Sequence, residues 1–232
     1  MRADAKMKPS SVMEHSTIVH LGNELAAASA EWLAAKVQSG FKESLLSEAL
    51  LIVPLVEYFA TRATSTEWCL TGEWHESGTS LAKAGDVNID LVAEHEGEKV
   101  LLEFKYLKRA NDQRLIKDFV KLALPKNASY TRLLLVAHSP SCQHQGESKS
   151  ALVRSLISAG RKIVFHLAQR DSLPELTSDL NIKHSLTGAE GEHVSRIMSY
   201  DSSVADFAVQ HIATCPQAEE NVSVFSVSRV DK

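Results

Sequence analysis

Three side chains within sixteen residues carry most of the chemistry that this 232-residue chain displays: Asp90, Glu103 and Lys105. Asp90 stands in the apolar run Val87–Ala93 (VNIDLVA), Glu103 and Lys105 in Lys99–Tyr106 (KVLLEFKY). Both runs predict strands, and Glu96-Gly97-Glu98 between them predicts a tight turn, so the pair reads as a hairpin. Residues i and i+2 of a strand share a face, which makes Glu103 and Lys105 project together. The hairpin brings Asp90 onto the adjacent strand, beside them if the register allows it. Two carboxylates and an ammonium on one sheet surface are unfavourable to bury without a metal or partner charges. Paired carboxylate oxygens are what Mg2+ or Mn2+ takes, with several waters retained and a phosphate oxygen added. Such an ion lowers the pKa of bound water and offsets charge on a phosphate. Lys105 is suited to orient or help deprotonate that water, or to contact the phosphate. The carbonyl of Phe104 is a natural further oxygen ligand.

The pattern NID (88–90) followed by LLEFK (101–105), on a hairpin between two helices, resembles the PD-(D/E)xK nuclease superfamily. Restriction endonucleases, archaeal Holliday-junction resolvases and many bacterial defence nucleases belong to it. The resemblance extends from about Glu48 to Leu167, just over half the chain. It implies that Asp90 and Glu103 hold a divalent metal and that Lys105 is the catalytic lysine. The family usually adds an acidic residue from the preceding helix. Glu57 is the choice here, because it lies on the stripe Leu50, Val53, Ala60 and should face the core; Glu48 is its competitor. The motif's proline is replaced by Ile89. D-x12-ExK is short and arises by chance in many chains, so its weight comes from the helix-strand-hairpin-helix setting. Two other accounts stand beside it: a solvated Glu103/Lys105 pair on the outer face of an edge strand, and a degenerate member that binds without cutting.

The resemblance implies metal-dependent hydrolysis of phosphodiester bonds, with DNA the expected substrate and defence or mobile elements a setting by analogy. Charge agrees with a polyanionic partner. Between Lys99 and Lys126 eight basic residues face only Glu103, Asp112 and Asp118, a local charge of +5 in a chain of -4. Lys108, Arg109, Lys117 and Lys121 follow the site strand and are the expected phosphate contacts; an ordinary solvated helix face is the alternative for any one of them. Cutting both strands with one site per chain would favour a two-fold pair, so a homodimer or a partner subunit is expected as an option. His138, Cys142 and His144 have soft-metal spacing but no fourth ligand nearby. Neither a G-x-S-x-G elbow nor a phosphate-binding G-x-x-x-x-G-K-[ST] loop occurs.

The elements that must hold these residues follow from periodicity. Leu21–Val37 predicts an Ala-rich helix after a loosely patterned arm. Residues 43–63 predict a second helix that Pro54 kinks or splits. Strands follow at Trp68–Trp74, 87–93 and 99–106. A helix capped by Asn111 or Asp112 carries Leu115, Phe119 and Leu122 and ends near Pro125. Arg132–Ala137 and Lys162–Leu167 read as buried strands around helix 150–159. Residues 170–195 read as loop-rich, Val204–Thr214 as helical, and Asn221–Val230 as an edge strand. The expectation is an α/β fold: a mixed-sheet, restriction-endonuclease-like core over 43–168, an N-terminal arm and helix over 1–42, and a C-terminal extension over 169–232 packed on the core.

Composition narrows the setting. Hydrophobic residues make up 44% and charged residues 23%, ordinary for a globular protein. The longest apolar run, Ala49–Val56, falls far short of the about 20 residues a span needs. The first residues lack an apolar signal core, and Cys69, Cys142 and Cys215 are scattered, so a reducing, cytoplasmic location is expected. A pI of about 6.2 excludes a globally basic binder.

Overall fold

The alternation of apolar and polar residues that marks the hairpin is realised around a two-residue turn in a computed structural model. It describes residues 13–41, 48–61, 68–74, 88–107, 112–140, 148–170, 173–200, 206–217 and 220–230. Strand β2 (Ile89–His95) pairs antiparallel with β3 (Glu98–Leu107), His95 opposite Glu98. Glu96 and Gly97 both take positive φ, 50° and 88°, as the turn that matches strand twist requires. β1 (Cys69–Trp74) pairs antiparallel with β2 on its other side. After β3 the chain crosses through helix α3 (Asp112–Ala123) to β4 (Thr131–His138), which runs parallel to β3.

The sheet continues without a break. Helix α4 (Ala151–Ala159) leads to β5 (Ile163–Arg170), β6 (Leu173–Ser178) and β7 (Lys183–Ser185). Helix α5 (Gly188–Tyr200) precedes β8 (Asp206–Cys215) and β9 (Asn221–Arg229). Among the described residues the nine strands form one mixed sheet in the order β1-β2-β3-β4-β9-β8-β5-β6-β7. Helices α1 (His15–Gln38) and α2 (Ile52–Thr61) cover one face, where Leu25, Leu55 and Phe59 meet Leu102, Phe104 and Val224. Helices α3, α4 and α5 cover the other, where Leu115, Phe119, Leu156 and Ile197 meet Leu101, Leu134 and Phe225. The fold is therefore α/β, with an apolar layer on each side of the sheet. Gly22 of α1 has no room for a side chain, since a Cβ there would lie 2.5 Å from Ile212 Cγ2, and this brings α1 close over β8.

Four expectations need correction. The second helix is split as Pro54 suggested, but into a 3-10 turn at Glu48–Leu50 and α2, with Pro54 in the first turn of α2, where its missing N–H is no loss. Residues 206–215 form a strand, not a helix; a bulge between His211 and Ala213 breaks the period-2 alternation that would have announced it. β9 is not at an edge but lies between β4 and β8. Its alternation is weak because Ser223 is buried, its hydroxyl hydrogen-bonded to His138 Nε2 and Thr214 Oγ1. Residues 173–200 hold β6, β7 and α5, whose helical signal is diluted by Gly188 and Gly191. No helix among the described residues is long and apolar enough to cross a membrane.

Candidate active site

The β2–β3 ladder runs through the backbone from His95↔Glu98 to Leu91↔Leu102, and beyond that point side chains take over. Asp90 Oδ2 accepts from the backbone N–H of Phe104 at 3.0 Å, and Glu103 Oε1 accepts from the N–H of Asp90 at 3.3 Å. The two carboxylates thus exchange bonds with each other's strands, which fixes both. β3 lies between β2 and β4, and Glu103 and Lys105 are 1% and 6% exposed, so a solvated pair on an edge strand is excluded.

Helix α3 answers the two strand charges with two of its own. Lys121 Nζ lies 2.7 Å from Glu103 Oε1 and donates to Oε2 at 2.8 Å. Asp118 Oδ2 lies 2.9 Å from Lys105 Nζ, which also donates to Glu48 Oε2 at 3.2 Å. Asp118 and Lys121 are buried. Glu48, at the start of the 3-10 turn, keeps its side chain 42% exposed and forms the open side of the cluster. Four carboxylates (Glu48, Asp90, Glu103, Asp118) thus surround two ammonium groups.

That surplus of negative charge governs protonation. Burial pushes the Glu103 carboxyl up to about 8, Lys121 pulls it down, and Asp118 and Asp90 add to the rise. Burial likewise raises Asp118 against the pull of Lys105 and Lys121. Burial alone would lower the lysines, but Asp118 and then Glu48 lift Lys105 above its ordinary value, and Glu103 and then Asp118 lift Lys121. Glu103, Asp118, Lys105 and Lys121 therefore all hold protons more tightly than in water, the behaviour of a site short of positive charge.

The expected site residues separate accordingly. Asp90, Glu103 and Lys105 come together. Glu57 does not join them: the buried stripe of this segment is Leu51, Leu55 and Phe59 rather than Leu50, Val53 and Ala60, and Glu57 is exposed on α2. Glu48 takes its place. Lys121, expected on a surface for phosphate, is buried against Glu103. Lys117 is half-buried, with its charge acting on Asp118. Lys108 and Arg109 lie outside the described residues, as do Cys142 and His144. His138 is buried and bonded to Ser223 rather than open to a metal. Asp118 and the pairing of Lys121 were missed. The available signal was their place on the face of α3 that also carries Leu115, Phe119 and Leu122, where an unpaired charge would be costly.

The donors at hand, the carboxylates of Asp90 and Glu103 and the carbonyl of Phe104 between β3's two charges, are hard oxygens and fit Mg2+ or Mn2+ in kind. Among the described residues no group of three or more His, Cys, Asp or Glu stands ready to hold a metal ion. Glu103 has both oxygens occupied by Lys121. Comparison with protein-family models, with curated proteins and with solved structures finds no match to this chain.

Proposed function

We propose that the chain is a metal-dependent nuclease of the PD-(D/E)xK kind, hydrolysing phosphodiester bonds, with DNA as the substrate. The observation that carries this reading is the convergence of Asp90, Glu103, Lys105 and Glu48 at one end of the β2–β3 pair, all four charges held by hydrogen bonds or ion pairs to neighbouring elements. The order α2, β1, β2, β3, α3, β4 is consistent with the setting the resemblance rests on.

Asp90, Glu103 and the Phe104 carbonyl would hold Mg2+ or Mn2+, which when bound supplies a more acidic water and charge to offset that on the phosphate. The remaining chemistry belongs to the chain. Lys105 stays an ammonium at neutral pH, because Asp118 and Glu48 raise its pKa. It therefore acts as a hydrogen-bond donor to the attacking water or a phosphate oxygen, not as the base. Asp118 holds it from the buried side and Glu48 from the open side, so the ammonium cannot follow the substrate out. Glu48 is the exposed carboxylate nearest that donor and is placed to accept a proton. Phosphate contacts are assigned to Lys108, Arg109 and Lys117; Lys121 is withdrawn from that role.

A second reading has an observation of its own. Glu103 and Lys105 are each already paired with a charge of α3, Lys121 and Asp118, which suits a protein that binds nucleic acid or a partner subunit without cutting. Incubation of labelled single- and double-stranded DNA with Mg2+, Mn2+ or EDTA, beside Asp90→Ala, separates the two. Cutting that needs the metal and is lost in the variant is expected; salt-sensitive binding with no cutting under either metal would establish the second reading.

A further inference from the structure

β3 and α3 meet through two crossed ion pairs that differ in how firmly they are made. The strand presents its carboxylate and ammonium two residues apart, the helix three residues apart, and each spacing keeps both charges on one face. Each carboxylate therefore meets the other element's ammonium. Lys105 is shared between Asp118 and Glu48 and stays paired if either partner moves. Lys121 is committed to Glu103, its Nζ at 2.7 and 2.8 Å from the two carboxylate oxygens. Glu103 is also the carboxylate that a hard cation needs. Magnesium sits about 2.1 Å from its oxygens in near-octahedral geometry, which leaves no place for an ammonium bridging the same two atoms. Lysine is a compact charge on a flexible four-carbon stem, so it can leave without moving the helix.

We propose that Lys121 is the site's built-in cation: it occupies both oxygens of Glu103 while no metal is bound, and a divalent ion loads by displacing it. This rests on the nuclease reading and adds to it a control on metal entry. It follows that metal and Lys121 compete for one carboxylate, and the weakening each imposes on the other is mutual. Such couplings amount to about 5- to 150-fold in affinity.

The test is Mn2+ affinity, read by electron paramagnetic resonance of the free ion, for wild type, Lys121→Gln, Lys121→Arg and Glu103→Gln. Loss of the competitor is expected to tighten Mn2+ about tenfold or more in Lys121→Gln. Arginine keeps the charge but grips a carboxylate with a rigid two-pronged fork, so Lys121→Arg is expected to bind Mn2+ more weakly than wild type. If charge alone mattered, the arginine variant would match wild type, and displacement would be overturned. Equal affinity in wild type and Lys121→Gln would overturn it as well. A second measurement uses the unmodified protein: Mg2+ is expected to shift the 15Nζ resonance of Lys121 and spare that of Lys105. An unmoved Lys121 resonance at saturating Mg2+ overturns the proposal. These results are independent of cleavage. Metal-dependent cutting with an affinity that Lys121→Gln leaves unchanged removes only the competition, whereas no Mn2+ binding in any variant together with no cutting removes the nuclease reading too.

Discussion

Two buried polar networks cross the same face of the sheet and solve the problem of burial in opposite ways. In one, His138, Ser223, Thr214 and His211 form a chain from β4 through β9 to β8, each link 2.8 Å long. Its members are neutral hydroxyls and imidazoles, and burial pushes His138 down to about 4 and lowers His211, so the chain resists charge. In the other, on the 3-10 turn, β2, β3 and α3, four carboxylates meet two ammonium groups, and burial raises the proton affinity of Glu103 and Asp118. The first network is neutral throughout and ties β4, β9 and β8 together. The second holds more carboxylates than ammonium groups, with Asp118 Oδ2 buried against Lys105, and such an imbalance is commoner at functional sites than in structural networks.

Breaking each network should expose the difference. Asp118→Ala strands the buried ammonium of Lys105 with only Glu48 beside it, and loss of one partner from a buried pair costs about 3–5 kcal/mol. Asp118→Leu combined with Lys105→Met removes both charges and should unfold at higher urea than Asp118→Ala. A single-variant loss below about 1 kcal/mol would mean that the cluster is solvated rather than buried. Ser223→Ala leaves His138 Nε2 without its hydroxyl partner and should cost less, about 1–3 kcal/mol. Cleavage per folded molecule should be unaltered by it, because Ser223 touches none of the strand charges. Urea midpoints and initial rates on the same preparations decide both points.

Smaller, but opposite in sign, is the response to pH. Glu103 has a folded pKa of about 8 against 4.5 for the ordinary group, so over that interval the folded protein holds a proton that the unfolded chain has released. Its contribution to stability is present at the acid end and is lost as pH rises toward 8. His138 runs the other way: with a folded pKa of about 4 against 6.5, the unfolded chain holds the extra proton, and stability is gained as pH rises from 4 to 6.5. Either limb is at most about 1.4 kcal/mol per pH unit. Stability measured from pH 4 to 8.5 should therefore change little where the two overlap and fall above about 6.5. Glu103→Gln should remove the fall on the alkaline side, and His138→Phe the gain on the acid side. A profile rising through pH 8 in the unaltered protein would contradict the assignment of Glu103.

How much of this could be read from residues alone depended on the range of the interaction. The hairpin was accessible because its information is local: alternation in two short runs, and a Gly97 where the turn needs positive φ. From it followed Asp90, Glu103 and Lys105 as neighbours. The helix partners were not accessible in the same way. Asp118 and Lys121 find Lys105 and Glu103 across 13 and 18 positions of sequence, and nothing in a 3.6-residue period tells which strand charge a helix charge will meet. The C-terminal strands were hidden by the same chemistry that holds them. Ser223, Thr214 and His211 look like surface residues until their hydrogen bonds are known, and their presence erased the alternation of β8 and β9.

The smallest expected effect bears on the one acidic residue that sequence and structure assign differently. Pro54 lies in the first turn of α2, and burial of Leu51, Leu55 and Phe59 turns Glu57 outward while Glu48 reaches Lys105 at 3.2 Å. Glu57→Gln, at an exposed helix position whose side chain makes no contact with the cluster, should change stability by no more than about 0.5 kcal/mol and leave the cleavage rate within twofold. Glu48→Gln keeps the shape but removes the charge that fixes Lys105 from the open side. Its effect should be about 10- to 100-fold on kcat, with KM for DNA little changed, because the loss falls on the positioned donor rather than on binding. The reverse order, with Glu57→Gln the damaging change, would mean that α2 turns its other face to the site when DNA is bound. The contrast between a neutral network and a charge-deficient one would then have to be drawn with Glu57 inside it.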